Sequence, residues 1–126
     1  MPLTIHRVLS ERLHAQAGIL PPLRHTVNLS LDKLQLTQWS PEFESLMRNR
    51  MILGALRYGL LGAPGKPPHD NTPSAIRRIR KYQLTGNLEH LVDAANLCLC
   101  EYVEGRHPLR HFTASDDGEH TKELPK

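Results

Sequence analysis

An all-α fold, a small antiparallel helical bundle with an N-terminal arm, is what the sequence predicts, and three observations predict it. The stretch Asn87 to Gly105 carries Leu88, Leu91, Val92, Ala95, Leu99, Tyr102 and Val103 at helical spacing, which defines a wide apolar face. Ser40-Pro41-Glu42 opens a second helical pattern with an N-cap, a proline at the first helical position and a carboxylate in the first turn. Between a third helical pattern and the stretch from Asn87 lies only Thr85-Gly86-Asn87, a connection so short that the two helices return antiparallel.

The composition bounds what such a chain does. Its 126 residues make one domain with a modest core and an arm or tail outside it. Hydrophobic content of 39% and charged content of 23% fit a soluble globular protein. No apolar run reaches the length of a membrane span, and residues 1–20 contain no signal-peptide core. Cys98 and Cys100 lie two residues apart on one helix, so their side chains diverge and do not bridge. No cysteine and histidine spacing suits zinc, and a reducing, cytoplasmic setting is the simplest account. A formal charge of +3 permits an anionic partner such as a nucleotide or phosphate without requiring one.

In chain order, residues 1–38 read as an arm for packing or oligomerisation. Ile5, Val8, Leu9 and Leu13 predict a short helix within Thr4–Ala17, ended by Gly18 and Pro21-Pro22. His25–Gln38 alternates in a strand-like way with a slip between Leu31 and Leu34. The core domain spans 39–105. Its first helix covers 41–58, with Phe43, Leu46, Met47, Met51, Gly54, Ala55 and Tyr58 as the inward stripe, and Glu44 paired to Arg48 one turn on. The Gly- and Pro-rich loop 60–72 is either disordered or functional: Gly62, Gly65, Lys66, His69 and Asp70 can wrap an anion, although GxxxxGK[ST] does not match. The next helix runs from about 74 to 84, with Ala75, Ile76, Ile79 and Tyr82 inward and Arg77, Arg78, Arg80 and Lys81 as a basic outer face. Residues 106–126 form a polar tail. Three core helices leave a bundle incomplete, so the arm or a second subunit is expected to close it, as a homodimer or larger.

The helix after Asn87 carries the candidate chemistry. Glu89, Asp93, Asn96 and Cys100 fall within an arc of roughly 60°, one turn above another. Two readings stand. One is a solvated face. The other is a site, because the stripe is narrow, is flanked by Ala94, Leu97 and Cys98, and lies on a helix without Lys or Arg. Carboxylates one turn apart with a carboxamide above them present oxygen ligands of the kind Mg²⁺ takes.

The run Arg57-Tyr58-Gly59, followed by SAIRRIRKYQLTGNLEHLVDAANLCLCEYVEG, resembles the all-α, MazG-like nucleotide pyrophosphohydrolase group, and most of all small phage proteins described as dATP/dGTP pyrophosphohydrolase-like. The resemblance covers residues 57–105. It implies a helical bundle assembled from two or four subunits and Mg²⁺-assisted attack of water on a nucleoside triphosphate. In that frame Asp93 matches the aspartate of the closing ExxD motif, His90 stands where its glutamate is usual, and Glu89 is one position out of register. The preceding ExxE motif is missing; Glu42 and Glu44 have a different spacing. On the enzyme reading Asp93 and Glu89 serve catalysis and hold the metal, with Glu44 as a further metal ligand that subunit assembly would have to bring in. Arg57, Tyr58, Lys66, Arg77 and Asn96 are assigned to the substrate. Two other functions compete with the hydrolase: a module that sequesters a nucleotide or cyclic nucleotide without turnover, as a phage counter-defence protein does, and a helical interaction protein. No helix-turn-helix signature or basic stripe interleaved with aromatics favours nucleic acid.

Overall fold

A computed structural model describes residues 28–114 and 120–125. The described residues form helices and no strand, in keeping with the all-α expectation. The expected helix over 4–17 lies outside the described residues. By its internal contacts the chain divides into two units, residues 1–39 together with 111–126, and residues 40–110.

In the first unit, helix α1 covers Leu31–Thr37. The strand-like alternation over this stretch is therefore corrected to a helix. Ser30 caps it, its hydroxyl accepting from the Lys33 amide at 3.3 Å. The slip in the alternation is the reason: Leu31 and Leu34 sit three apart, a helical spacing, directly after a serine that satisfies a first-turn donor.

The second unit holds α2 (Pro41–Tyr58), α3 (Asn71–Thr85) and α4 (Glu89–Glu104). Helix α2 has the expected bounds. The Ser40 hydroxyl accepts from the Phe43 amide at 3.1 Å, and Gly59 leaves the helix at φ 92°, which only glycine adopts without strain. Helix α3 starts earlier than expected, at Asn71, and takes Pro73 into its first turn, where a missing N–H costs nothing. It ends on Gly86 in the left-handed region, φ 72°, whose amide donates to the Tyr82 carbonyl at 2.8 Å. The chain then folds back into α4. Just before it, Asn87 Oδ1 accepts from the Glu89 amide at 3.0 Å, and Leu88 stands at the N-cap position. Gly105 ends α4 in extended backbone, φ −60°, its amide donating to the Glu101 carbonyl at 2.8 Å.

Helix α4 is the hub, packed closely on α3 and more loosely on α2. Its buried residues are Val92, Ala94 and Asn96, while Leu88, Tyr102 and Val103 of the expected apolar face are exposed. On α3, Asn71 and Ala75 are buried and Arg78 is half-buried, whereas Ile76 and Ile79 lie exposed instead of inward. Ala75 and Ala94 are the small buried apolar residues of these two packed helices, and small side chains let helices approach closely while bulkier ones lie at the flanks.

Candidate functional site

The polar column of α4 faces the interior of the second unit. Asp93 keeps 15% of its side-chain exposure and Asn96 is buried at 7%. Asp93 and Asn96 thus exclude the solvated-face reading for the middle of the stripe, while Glu89, at its outer end, remains about half exposed. Glu104 continues the same column one turn beyond Cys100 and is 18% exposed.

Glu89, Asp93, Asn96 and Glu104 each meet a partner from another element. Arg50 of α2 lies between the two carboxylates, Nη2 at 2.9 Å from Glu89 Oε1 and Nε at 3.2 Å from Asp93 Oδ1. The hydrogen bond to Asp93 and its charge hold the Arg50 guanidinium above its ordinary pKa. Arg78 of α3 approaches the second Asp93 oxygen at 3.9 Å, beyond hydrogen-bond reach. Asn96 donates through Nδ2 to the Met47 carbonyl on α2 at 3.0 Å, and its Oδ1 has no hydrogen-bond partner. At the far end Glu104 accepts from the Gly62 amide at 2.9 Å and pairs with Lys66 Nζ at 2.9 Å. Those two donors, the backbone amide first, hold the Glu104 carboxyl below the usual carboxylate range. The loop after α2 is thus pinned to the end of α4, and Gly62 and Gly65 take the left-handed turns (φ 75° and 77°) that bring it there.

Between α2, α3 and α4 a cleft of about 540 Å³ opens. Its walls are mostly apolar, from Met51, Leu53, Ala55 and Leu97, and Arg50, Arg78, Asp93 and Asn96 lie along the same space. Arg57 and Tyr58 flank it, and Tyr58 meets the His69 ring edge-on at 5.3 Å between centroids. Cys100 lines the cleft too, its thiol pushed up in pKa by burial and by the nearby Glu104 charge. A volume of this size suits a small organic ligand.

Of the residues singled out in the sequence, Glu89, Asp93 and Asn96 come together on one column, with Arg57, Tyr58 and Lys66 along the same cleft. Arg77 and Glu44 do not join them. Arg77 donates to Asp70 at 2.6 Å and to Ser74 at 2.7 Å on the exposed start of α3, an ion pair that holds the Asp70 carboxyl low. Glu44 pairs with Arg48 on α2 at 3.0 Å, as its spacing predicts. Among the described residues no three His, Cys, Asp or Glu side chains converge as a group; Glu44 lies with Arg48, and Glu89 and Asp93 lie with Arg50. Arg50 supplies the positive charge between the two carboxylates instead.

Arg50, Arg78 and Glu104 were missing from the sequence-derived site. Arg50 had a signal, because it stands between Met47, Met51 and Gly54 on the inward stripe of α2. Glu104 had one as well, four residues after Cys100. Arg78 had none beyond its place in a run of four basic residues. Comparison with protein families, with curated proteins and with solved structures finds no match to this chain.

Proposed function

We propose that the cleft between α2, α3 and α4 captures a nucleoside phosphate and holds it without turnover. The observation that carries this reading is Arg78: a half-buried guanidinium beside a largely apolar cleft, with its nearest carboxylate 3.9 Å away. A guanidinium fork binds phosphoryl oxygens bidentately, and a partly dehydrated one does so with more energy than one in open water. The apolar walls suit a base or sugar, and the Tyr58 ring offers a stacking surface.

Hydrolysis asks more than this. A metal-assisted attack of water needs carboxylates free to hold a cation, and both Glu89 and Asp93 are committed to Arg50. The donor set therefore does not fit a Mg²⁺ site held by this chain. Sequestration, the second function class raised by the sequence, is the reading that these side chains favour.

A panel of deoxynucleoside and cyclic nucleotides, with and without Mg²⁺, tests the proposal. Thermal stabilisation without pyrophosphate release is expected, because a ligand present at about a hundred times its Kd adds about 2.7 kcal/mol to the native state. Pyrophosphate release that vanishes in Asp93→Asn selects the hydrolase instead. No response to any nucleotide rejects both.

A further inference from the structure

The segment between α2 and α3, residues 59–70, has little apolar anchorage. None of its residues is buried, and only Ala63 and Lys66 fall short of full exposure. Its shape comes from backbone turns instead. Gly59, Gly62 and Gly65 all hold positive φ, and the Ala63 amide donates to the Leu60 carbonyl at 3.1 Å. A segment with so few buried apolar contacts opens at a lower free energy than the helices that flank it.

One side chain does most to keep it in place. Glu104 Oε2 accepts from the Gly62 amide at 2.9 Å, and Lys66 Nζ lies 2.9 Å from the same oxygen and 3.2 Å from Oε1. The Lys66 and Glu104 side chains are 13% and 18% exposed, so solvent screens this pair less than a surface pair. Two weaker contacts accompany it: Arg106 donates through Nη2 to the Lys66 carbonyl at 3.4 Å, and the Tyr58 and His69 rings meet edge-on. The same segment borders two cavities, the cleft and a second one of about 350 Å³ beside the end of α4. Lys66, His69 and Glu104 line both, and Cys100 lines the cleft one turn before Glu104.

We propose that residues 59–70 form a strap that opens as a unit, with Glu104 as its latch, and that opening joins the two cavities and uncovers the Cys100 end of the cleft. Glu104 is thus a positioning residue, acting through the strap it holds. The strap is a property of the fold without any ligand, so it stands or falls separately from nucleotide capture.

Amide hydrogen exchange and thiol alkylation of the full chain, both without nucleotide, test it. In Glu104→Gln and in Lys66→Met the Gly62, Ala63 and Lys66 amides should exchange at least about tenfold faster than in the parent, with α3 and α4 unchanged. In a Cys98→Ser background, iodoacetamide should modify Cys100 at least about fivefold faster in both variants. The two variants separate opening from electrostatics. Glu104 pushes the Cys100 thiol up in pKa and Lys66 pulls it down, so without a strap Glu104→Gln would speed alkylation and Lys66→Met would slow it. Such opposite responses overturn the proposal. Strap amides that neither variant accelerates overturn it too, as does exchange that quickens throughout α3 and α4. Should Glu104→Gln fail to fold, Lys66→Met decides alone, since faster alkylation there runs against the shift in the thiol.

Discussion

Arg50 bears more of the site than any other single residue. It ties α2 to two carboxylates of α4, and removing it leaves Asp93 with only the distant Arg78 for company. Because Arg50 and Glu89 are partly in solvent, screening limits the loss; Arg50→Ala should cost about 1–2 kcal/mol in urea unfolding. Glu89→Gln should cost less than Asp93→Asn, since Glu89 is the more exposed of the two. Glu104 makes a pH-dependent contribution. Its folded pKa is depressed, so its stabilisation is present above the unfolded value of about 4.3 and is lost as pH falls through the lower folded value. The urea midpoint of the parent protein should therefore drop in acid more steeply than that of Glu104→Gln, and equal slopes would mean that the Gly62 and Lys66 contacts contribute nothing. The polar column was legible at this scale because four of its members, Glu89, Asp93, Asn96 and Cys100, share one arc of a helix. Arg50 was not, since a single arginine on an apolar stripe reads equally as a surface residue whose stem covers the core.

At the scale of elements, caps and breakers were the readable features. Ser40-Pro41 and Gly59 bound α2 as the pattern predicts, and the Asn87 side chain meets the first amide of α4. Gly86 is needed for its backbone alone. Its φ is 72° and no atom lies within 4 Å of an added Cβ, so Gly86→Ala should cost about 1–2 kcal/mol from the left-handed conformation, with no clash to relieve. A thermal or urea melt of that variant measures it, and an unchanged midpoint would mean that the α3–α4 turn tolerates another conformation. Helix α1 was misread because seven residues hold too little periodicity to outweigh a few alternating leucines. The inward face of α3 was misread for a different reason. Hydrophobicity ranks Ile76 and Ile79 above Ala75, while close helix packing prefers the alanine.

For the molecule as a whole, the fold class was legible and the closure of the second unit was not. The helices leave leucines uncovered on α2, which is a property of how elements meet and has no signature in any one of them. The cleft is equally a product of assembly: Arg50 and Arg57 come from α2, Arg78 from α3, Asp93 and Glu104 from α4, and Lys66 and Asp70 from the loop after α2. No apolar helix among the described residues is long enough to cross a membrane, so these exposed side chains are not a spanning segment. Titration calorimetry of the parent protein and of Arg78→Ala with dATP tests the central claim most directly, with inorganic tripolyphosphate as competitor. The account predicts saturable binding at one site per chain, weakened at least about tenfold by Arg78→Ala and displaced by tripolyphosphate, as a guanidinium on the phosphates requires. Binding that is indifferent to Arg78→Ala, or no binding at all, would contradict it.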